Sequence, residues 1–448
     1  MTRTRAWPAL CAGMLLVGCA PATPAPQPPA VPAAAAPAAG EPAAWPGREL
    51  RLVQPELVGM DSRTLAELDS IILRAILDGA TPGAALAVGR HGRLVRLRGY
   101  GSLDWRAGFA PATDSSIYDL ASLTKVVGTT TAAMILVEEG KLDLDAPVWR
   151  YLPEWPAEGD KRHVTIRHLL THTSGLPAYA PLWRELRGRE AYARRIASMD
   201  LDAPPGTRTV YSDFGILLLG FIIERQSGQT LDVFLRERVF EPLGMRDTGF
   251  NPRSWGEAAV AATGHGDAVP ERVGGGDILA RIAPTEQDTF FRHTHVHGIV
   301  HDENAYALGG VAGHAGLFSS ARDLAVFAQM MLNGGEYAGV RILDSATIAR
   351  FTRPQSDASS RALGWDTPSG GASAGPGFSP RSYGHTGFTG TSIWIDPERD
   401  LFVVLLTNRV NPTRNNNKHI ALRKAVHETA VLAITDTPAV GRAGQGEP

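Results

Sequence analysis

Ser122-Leu123-Thr124-Lys125 stands between an irregular segment and a strongly apolar helical stretch. Residues three apart on a helix share a face, with Cβ atoms about 5–6 Å apart, so the lysine amine can reach the serine hydroxyl. A hydroxyl attacks a carbonyl only when a base removes its proton. Lysine serves as that base if burial and the positive end of a helix depress its pKa. Two further groupings carry related chemistry. Tyr211-Ser212-Asp213 leads into an apolar helical run, and a phenol beside donors can relay the serine proton and later activate water. His385-Thr386-Gly387 precedes a strand-like run. There an imidazole or hydroxyl can hold a carboxylate, and a glycine lets a substrate backbone approach an edge strand. Singly, each has an ordinary reading: a chance Ser-x-x-Lys, a tyrosine beside a helix cap, a turn with a hydrogen-bonded histidine. Together they supply a nucleophile, proton carriers and an anion contact.

The elements that must position these groups follow from periodicity. Asp61-Ser62 caps a helix in which Leu65, Leu68, Ile72 and Ile76 recur at helical spacing until Gly79. Ala84 to Arg90 and Leu94 to Tyr100 read as strands joined by His91-Gly92, a hairpin turn. From about 123 to 340 the pattern is helical, as in Val126 to Glu139, Phe214 to Gln226, Leu231 to Phe240 and Arg322 to Leu332. Strand signals return at Thr391 to Ile395 and Leu401 to Thr407, before a last helix from Lys418 to Ile434. This order predicts an α+β fold: an antiparallel sheet flanked by terminal helices, with an all-helical subdomain inserted and the site at their junction. The Gly, Ser and Pro content of Ser356 to Pro380 predicts a surface loop.

Composition narrows the function. A chain of 448 residues with net charge -2 has no field of either sign to hold nucleic acid. Its two cysteines, Cys11 and Cys19, leave the body of the chain without a thiol nucleophile or a disulfide framework. Arg3 and Arg5 precede an apolar run from Ala6 to Val17, too short to span a bilayer. Leu16-Val17-Gly18-Cys19 resembles the lipobox of bacterial lipoproteins, which implies a signal peptide over 1–18 and a lipidated Cys19. Residues 19–47, nearly all alanine and proline, read as an extended tether. The expected hydrolase domain covers 48–435, followed by a disordered tail over 436–448. Ala20 after the cysteine fits export to an outer membrane, with the domain facing the periplasm.

In order and type, the three groupings resemble the serine-lysine, tyrosine- or serine-x-asparagine, and lysine-threonine-glycine motifs of serine β-lactamases and penicillin-binding proteins. The spacing resembles the class C branch. Further stretches add to the likeness, which runs from about 55 to 435: Leu169-Leu170-Thr171-His172-Thr173-Ser174-Gly175-Leu176, Glu241-Pro242-Leu243-Gly244-Met245 and Gly313-His314-Ala315-Gly316-Leu317-Phe318-Ser319. Val300-His301-Asp302-Glu303-Asn304-Ala305 resembles a subgroup, the penicillin-binding protein 4B-type lipoproteins. The resemblance implies a β-lactamase/transpeptidase-like fold and an acyl-enzyme mechanism without metal or cofactor. It also implies catalysis by Ser122, Lys125 and Tyr211, an oxyanion hole of the Ser122 and Phe388 N–H groups, and substrate binding by Asp213, His385, Thr386 and Gly387. The expected substrate is a peptidoglycan peptide, cleaved by a D-alanyl-D-alanine carboxypeptidase. A class C-like β-lactamase or carboxylesterase acting on small esters or β-lactams is the alternative, and a silent peptidoglycan-binding scaffold a third.

Two departures bear on this. Asp213 replaces an asparagine and, when ionised, cannot donate a hydrogen bond; pairing with Lys125 would raise the lysine pKa and weaken it as a base. His385 replaces a lysine, which predicts carboxylate recognition that titrates with imidazole. His293, His295 and His297 alternate, so a strand would gather them on one face as zinc ligands; a loop over the site is the preferred reading. His172 and His314 read as structural hydrogen-bonding residues, and Trp365 as packing.

Overall fold

The computed structural model describes residues 50–255, 278–355, 359–368 and 374–436. Cys19, the 1–18 and 19–47 segments, and all but the first residue of the 436–448 tail lie outside them.

Gly83–Arg90 and Arg93–Gly101 form the hairpin, and its turn holds His91 at φ 51 and Gly92 at φ 69. That pair of positive angles matches the right-handed twist of the strands. The hairpin joins a five-stranded antiparallel sheet in the order 383–386, 392–396, 401–407, 83–90, 93–101. Its central pair runs from Ala84 opposite Thr407 to Arg90 opposite Leu401, so the two ends of the domain meet at the middle of the sheet. Both faces are covered, which is why Leu401–Thr407 is apolar at successive positions and buried throughout. On one face Leu86, Val88, Val403 and Leu405 cluster with Leu65, Leu68 and Ile72 of helix Ser62–Leu77 and with Leu422 and Val426 of helix His419–Leu432. On the other, Ala85, Ala87, Phe402, Val404 and Leu406 cluster with Leu324 and Phe327 of helix Ala321–Leu332. Each large side chain so buried contributes about 1.5–3 kcal/mol relative to exposure.

Helix Asp213–Ser227 is buried at ten successive residues, Phe214 to Ile223, and ends at Gly228 in the left-handed region at φ 72. It lies against the helix that follows Ser122, which is not one regular α-helix. A tight 3₁₀ turn, Ala121–Leu123, opens into wider π-helical turns over Thr124–Thr130 before α-geometry begins at Thr131. A run buried on every side shows no face, so periodicity alone does not reveal this change of pitch.

Two regions differ from expectation. A second sheet pairs Ile117–Asp119 and Gly249–Phe250 with Leu317–Ser320; its strands are too short to show alternation. Within 356–380 the described stretch 359–368 is not a surface loop. Ala362, Leu363 and Trp365 are fully buried, and Asp366 bridges to Gly384 on the sheet edge. Trp365 packs on Phe327 and Tyr383, as a core residue.

Candidate active site

Ala121, just before the nucleophile, is held at φ 45. A non-glycine residue there costs about 1–2 kcal/mol, and the surroundings hold it in place. The buried Asp119 carboxylate accepts from the Ala121 N–H at 2.8 Å and from the His301 N–H at 2.7 Å. Thr389 and Thr391 donate to the Asp119 and Leu120 carbonyls at 2.7 and 3.0 Å. The turn bearing Ser122 is thereby tied to the loop after His385-Thr386-Gly387. Gly387 is required by this junction: a Cβ there would lie 2.4 Å from the Leu120 oxygen.

Lys125 is 1% exposed, and its Nζ donates to Ser122 Oγ at 2.8 Å and to the His314 carbonyl at 3.1 Å. The amine also lies over the Tyr211 ring, 5.0 Å from its centre. Tyr211 is held between the rings of His172 and His385, at centroid distances of 4.6 and 5.9 Å. His172 is fixed in turn, its Nδ1 accepting from the Ser212 N–H at 3.1 Å. The three groups picked out from sequence therefore converge on one point. Of the two proton states that the sequence left open for Lys125, the one set by pairing with Asp213 holds. Asp213 Oδ1 lies 2.8 Å from Lys125 Nζ. Burial opposes the lysine charge, yet Asp213, and Tyr211 after it, outweigh burial and raise the lysine pKa instead of depressing it. The amine is an ammonium that donates to Ser122 and cannot accept the serine proton in this state.

His385 also departs from expectation. It is 3% exposed, its Nδ1 bonds the Thr386 carbonyl at 2.8 Å, and its Nε2 is buried without a partner. Burial first, then the charges of Arg361 and Lys125, push its pKa well below the usual imidazole range. A neutral ring cannot supply the titrating cation that the sequence led us to expect. The cations come instead from Arg361, Arg409 and Arg423, which line a cleft of about 430 Å³ with Ser122, Tyr211 and Thr386. Arg423 Nη2 donates to the Gly387 and Thr391 carbonyls at 3.1 and 3.0 Å, and Arg409 Nε to the Phe388 carbonyl at 2.7 Å. Burial lowers both guanidinium pKa values to about 10, so both stay charged at neutral pH. The Phe388 N–H makes no hydrogen bond among the described residues. Ser122 lies in the first turn of its helix, where N–H groups point outward. Sequence reasoning missed these arginines: Arg361 was hidden in the glycine-rich stretch, and Arg423 read as one polar position of the final helix.

A second cleft, of about 310 Å³, shares Ser122, Tyr211 and Phe388 and adds Tyr179, Asp213, Asp302, Glu303, His301 and Arg414. The 300–305 stretch therefore lines the site. The other histidines scatter. His295 meets Arg106 and Asp104, His297 Nε2 bonds the Leu279 and Ile282 carbonyls at 3.0 Å, and His301 Nε2 lies 3.1 Å from Glu286. Only Thr294–His295 is strand, so the residues share no face, and no group of metal ligands forms among the described residues.

Three buried imidazoles set a pH dependence of stability. Burial is the first cause of the lowered pKa values of His172, His385 and His419, the last at about 3. The unfolded chain takes up these protons near about pH 6.5 while the native state refuses them, so stability is full above that value and falls below it. Each group contributes up to about 1.4 kcal/mol per pH unit. Thermal melting is expected to drop steadily from about pH 7 to about pH 5; a flat melting temperature over that window contradicts neutral burial.

An α+β domain that brings a serine, a buried lysine and a tyrosine to one cleft defines a serine hydrolase of β-lactamase/transpeptidase-like architecture. The chain belongs to the Beta-lactamase family, whose sequence profile matches residues 63–428. Proteins of Salmonella typhimurium and Salmonella typhi are 34% identical over 403 residues, covering 83% of this chain and 90% of theirs. Both carry the name "Putative D-alanyl-D-alanine carboxypeptidase". Among solved structures, EstCE1, a hydrolase with promiscuous acyltransferase activity, is 26% identical with a TM-score of 0.61, over 82% of this chain and 99% of its own. The octameric penicillin-binding protein homologue of Pyrococcus abyssi shares the fold at 24% identity and a TM-score of 0.59, over 82% and 77%.

Proposed function

We propose that the protein is a D-alanyl-D-alanine carboxypeptidase of cell-wall peptides, lipid-anchored through Cys19 and facing the periplasm. The observation that carries this reading is the cationic cleft beside Ser122. Arg409 and Arg423 spend donors on the loop carbonyls, whereas the Arg361 guanidinium lies over the Tyr211 ring at 5.0 Å, has Asp366 at 3.9 Å, and keeps a buried Nη1 without a hydrogen-bond partner among the described residues. A terminal carboxylate on the leaving residue matches that site. The Salmonella relatives' name supports the same substrate class, and the lipobox-like Leu16-Val17-Gly18-Cys19 supports the anchor.

Ser122 Oγ bonds the penultimate carbonyl carbon, and the oxyanion lies against the Ser122 and Phe388 N–H groups. Such donors are worth about 2.7–4 kcal/mol each in a transition state. With Lys125 charged, Tyr211 relays the proton: its phenol oxygen takes the serine proton as its own hydroxyl proton passes to the leaving D-alanine nitrogen and the C–N bond breaks. The ammonium stabilises the negative charge that develops on the serine and phenol oxygens during this relay. Water then attacks the acyl-serine, and a proton passes from it through Tyr211 to Ser122 Oγ as the ester C–O bond breaks. A carboxylesterase or β-lactamase would share these steps, and the likeness to EstCE1 favours the former; an ester lacking a carboxylate leaves the arginines unmatched.

The test is release of D-alanine from a peptide ending in D-Ala-D-Ala against the same peptide with a C-terminal amide. The acid form is expected to be preferred, with KM constant within about twofold from pH 6 to 8, because guanidinium does not titrate there. Arg361→Ala is expected to raise KM about tenfold for the acid form and leave the amide unaffected. Equal cleavage of acid and amide would sink the reading.

A further inference from the structure

One buried residue touches the mounts of both oxyanion donors. Asp119 is 2% exposed and ends strand Ile117–Asp119. Its Oδ1 accepts from the Ala121 N–H at 2.8 Å, one residue before the Ser122 N–H. Its Oδ2 accepts from the His301 N–H at 2.7 Å. The His301 ring is stacked on the Phe388 ring, with 5.7 Å between centroids and 26° between planes. The Asp119 carbonyl accepts from the Thr389 hydroxyl at 2.7 Å, one residue after Phe388. Arg409 holds Phe388 too, with its guanidinium 4.3 Å from the ring centre and its Nε on the Phe388 carbonyl at 2.7 Å. Arg409 does not hold the serine turn; Asp119 holds both and so fixes their separation. Asp119 forms no ion pair among the described residues, so two backbone N–H groups are what its side chain serves. Burying a carboxylate without a counter-ion costs free energy that a neutral side chain would not, while its charge makes each bond roughly twice as strong as a neutral one. Ala121 needs that strength, since it stands at φ 45, where a residue with a Cβ is disfavoured.

We propose that Asp119 is a positioning residue that sets the span between the Ser122 and Phe388 N–H groups, and with it the strength of the oxyanion hole. This rests on the acyl-enzyme reading of Ser122 and adds to it the group that keeps the hole in shape. The oxyanion forms only as the carbonyl becomes tetrahedral, so a change of span is felt in the transition state more than in substrate binding. An asparagine at this position is the sharp probe. Its amide has one oxygen, so whichever N–H that oxygen takes, the NH₂ group confronts the other, donor against donor. Either orientation frees one mount, and a displacement of about 1 Å at a reacting centre costs up to about a hundredfold in rate.

The test is the infrared stretch of the acyl-enzyme carbonyl in the whole protein, read by isotope difference after reaction with a penicillin isotopically labelled at its β-lactam carbonyl. Hydrogen bonds from the oxyanion hole polarise that carbonyl and lower its frequency, so in Asp119→Asn the band is expected to move to higher wavenumber. Acylation is expected to slow about ten- to hundredfold, with KM for a D-alanyl peptide within about twofold of the parent's. The band comes only from acylated, folded molecules, so a smaller folded fraction does not move it. Thr389→Val removes only the hydroxyl held by the Asp119 carbonyl. It is expected to shift the band the same way by less, and it decides the question if Asp119→Asn does not fold. A band that stays in place in every folded variant would overturn the proposal, as would a rise in KM without a fall in kcat. Shifted bands in an enzyme that releases no D-alanine from any peptide would uphold it and overturn the carboxypeptidase reading. A parent that forms no acyl-enzyme would overturn both.

Discussion

Ser122→Ala is expected to abolish covalent labelling by a fluorescent penicillin and to cut hydrolysis of esters and D-alanyl peptides by at least about 10⁴-fold. The hydroxyl is the atom on which the acyl group would be carried. The Lys125 ammonium donates to it at 2.8 Å, and no other hydroxyl among the described residues accepts from that amine. An alanine keeps the backbone of the Ala121–Leu123 turn, whose geometry depends on Asp119 rather than on the serine side chain. The variant should therefore melt like the parent, and the loss is chemical. Labelling that survives in a folded Ser122→Ala protein would remove this serine from the mechanism.

Asp213→Asn is expected to change the pH profile of kcat and the ranking of substrates together. In the parent, burial opposes the Lys125 charge but Asp213 outweighs it, so the lysine pKa stands above its ordinary value. Over about pH 6–9 the amine is then charged throughout and adds no limb to the profile. Removing the carboxylate leaves burial in command and moves that pKa down. The variant should gain a limb that rises with pH as the neutral amine becomes able to take the serine proton. The asparagine amide also donates where the carboxylate cannot, favouring substrates that present a carbonyl on the acyl side. Relative rates across esters, D-peptides and β-lactams are expected to shift by about 10²-fold. Superimposable profiles and an unchanged ranking would show that Asp213 does not govern the amine.

What was legible beforehand divides along physical lines. Helix Ser62–Leu77, the hairpin and strand Leu401–Thr407 announced themselves because each has one period and one clear boundary, such as the Asp61 cap or the His91-Gly92 turn. Ser122, Lys125 and Tyr211 were visible because their residue types are rare in that order. Charge state was visible only as a choice between a lysine depressed by burial and one raised by Asp213; the packing of two helices decides it by bringing Asp213 to 2.8 Å from Lys125. Arg361 and Glu303 escaped for a related reason. Each enters the cleft from a separate segment, and nothing in the local sequence of either shows what faces it. The burial of Ala362 to Trp365 was hidden by composition, because Gly364 there packs against Thr130 on the helix that follows Ser122.

The central pairing of Gly83–Arg90 with Leu401–Thr407 joins segments from opposite ends of the domain. Sheet completion therefore waits for the carboxyl-terminal strands, and contacts of such long sequence separation form slowly. The turn at Ser122 depends on the same strands, through Thr389 and Thr391. A chain still being made, or one cut short before residue 386, has its nucleophile and the Asp119 contact to Ala121 but lacks the two threonines that tie the turn to the sheet. The strained turn is thus fully braced only when the last strands are in place.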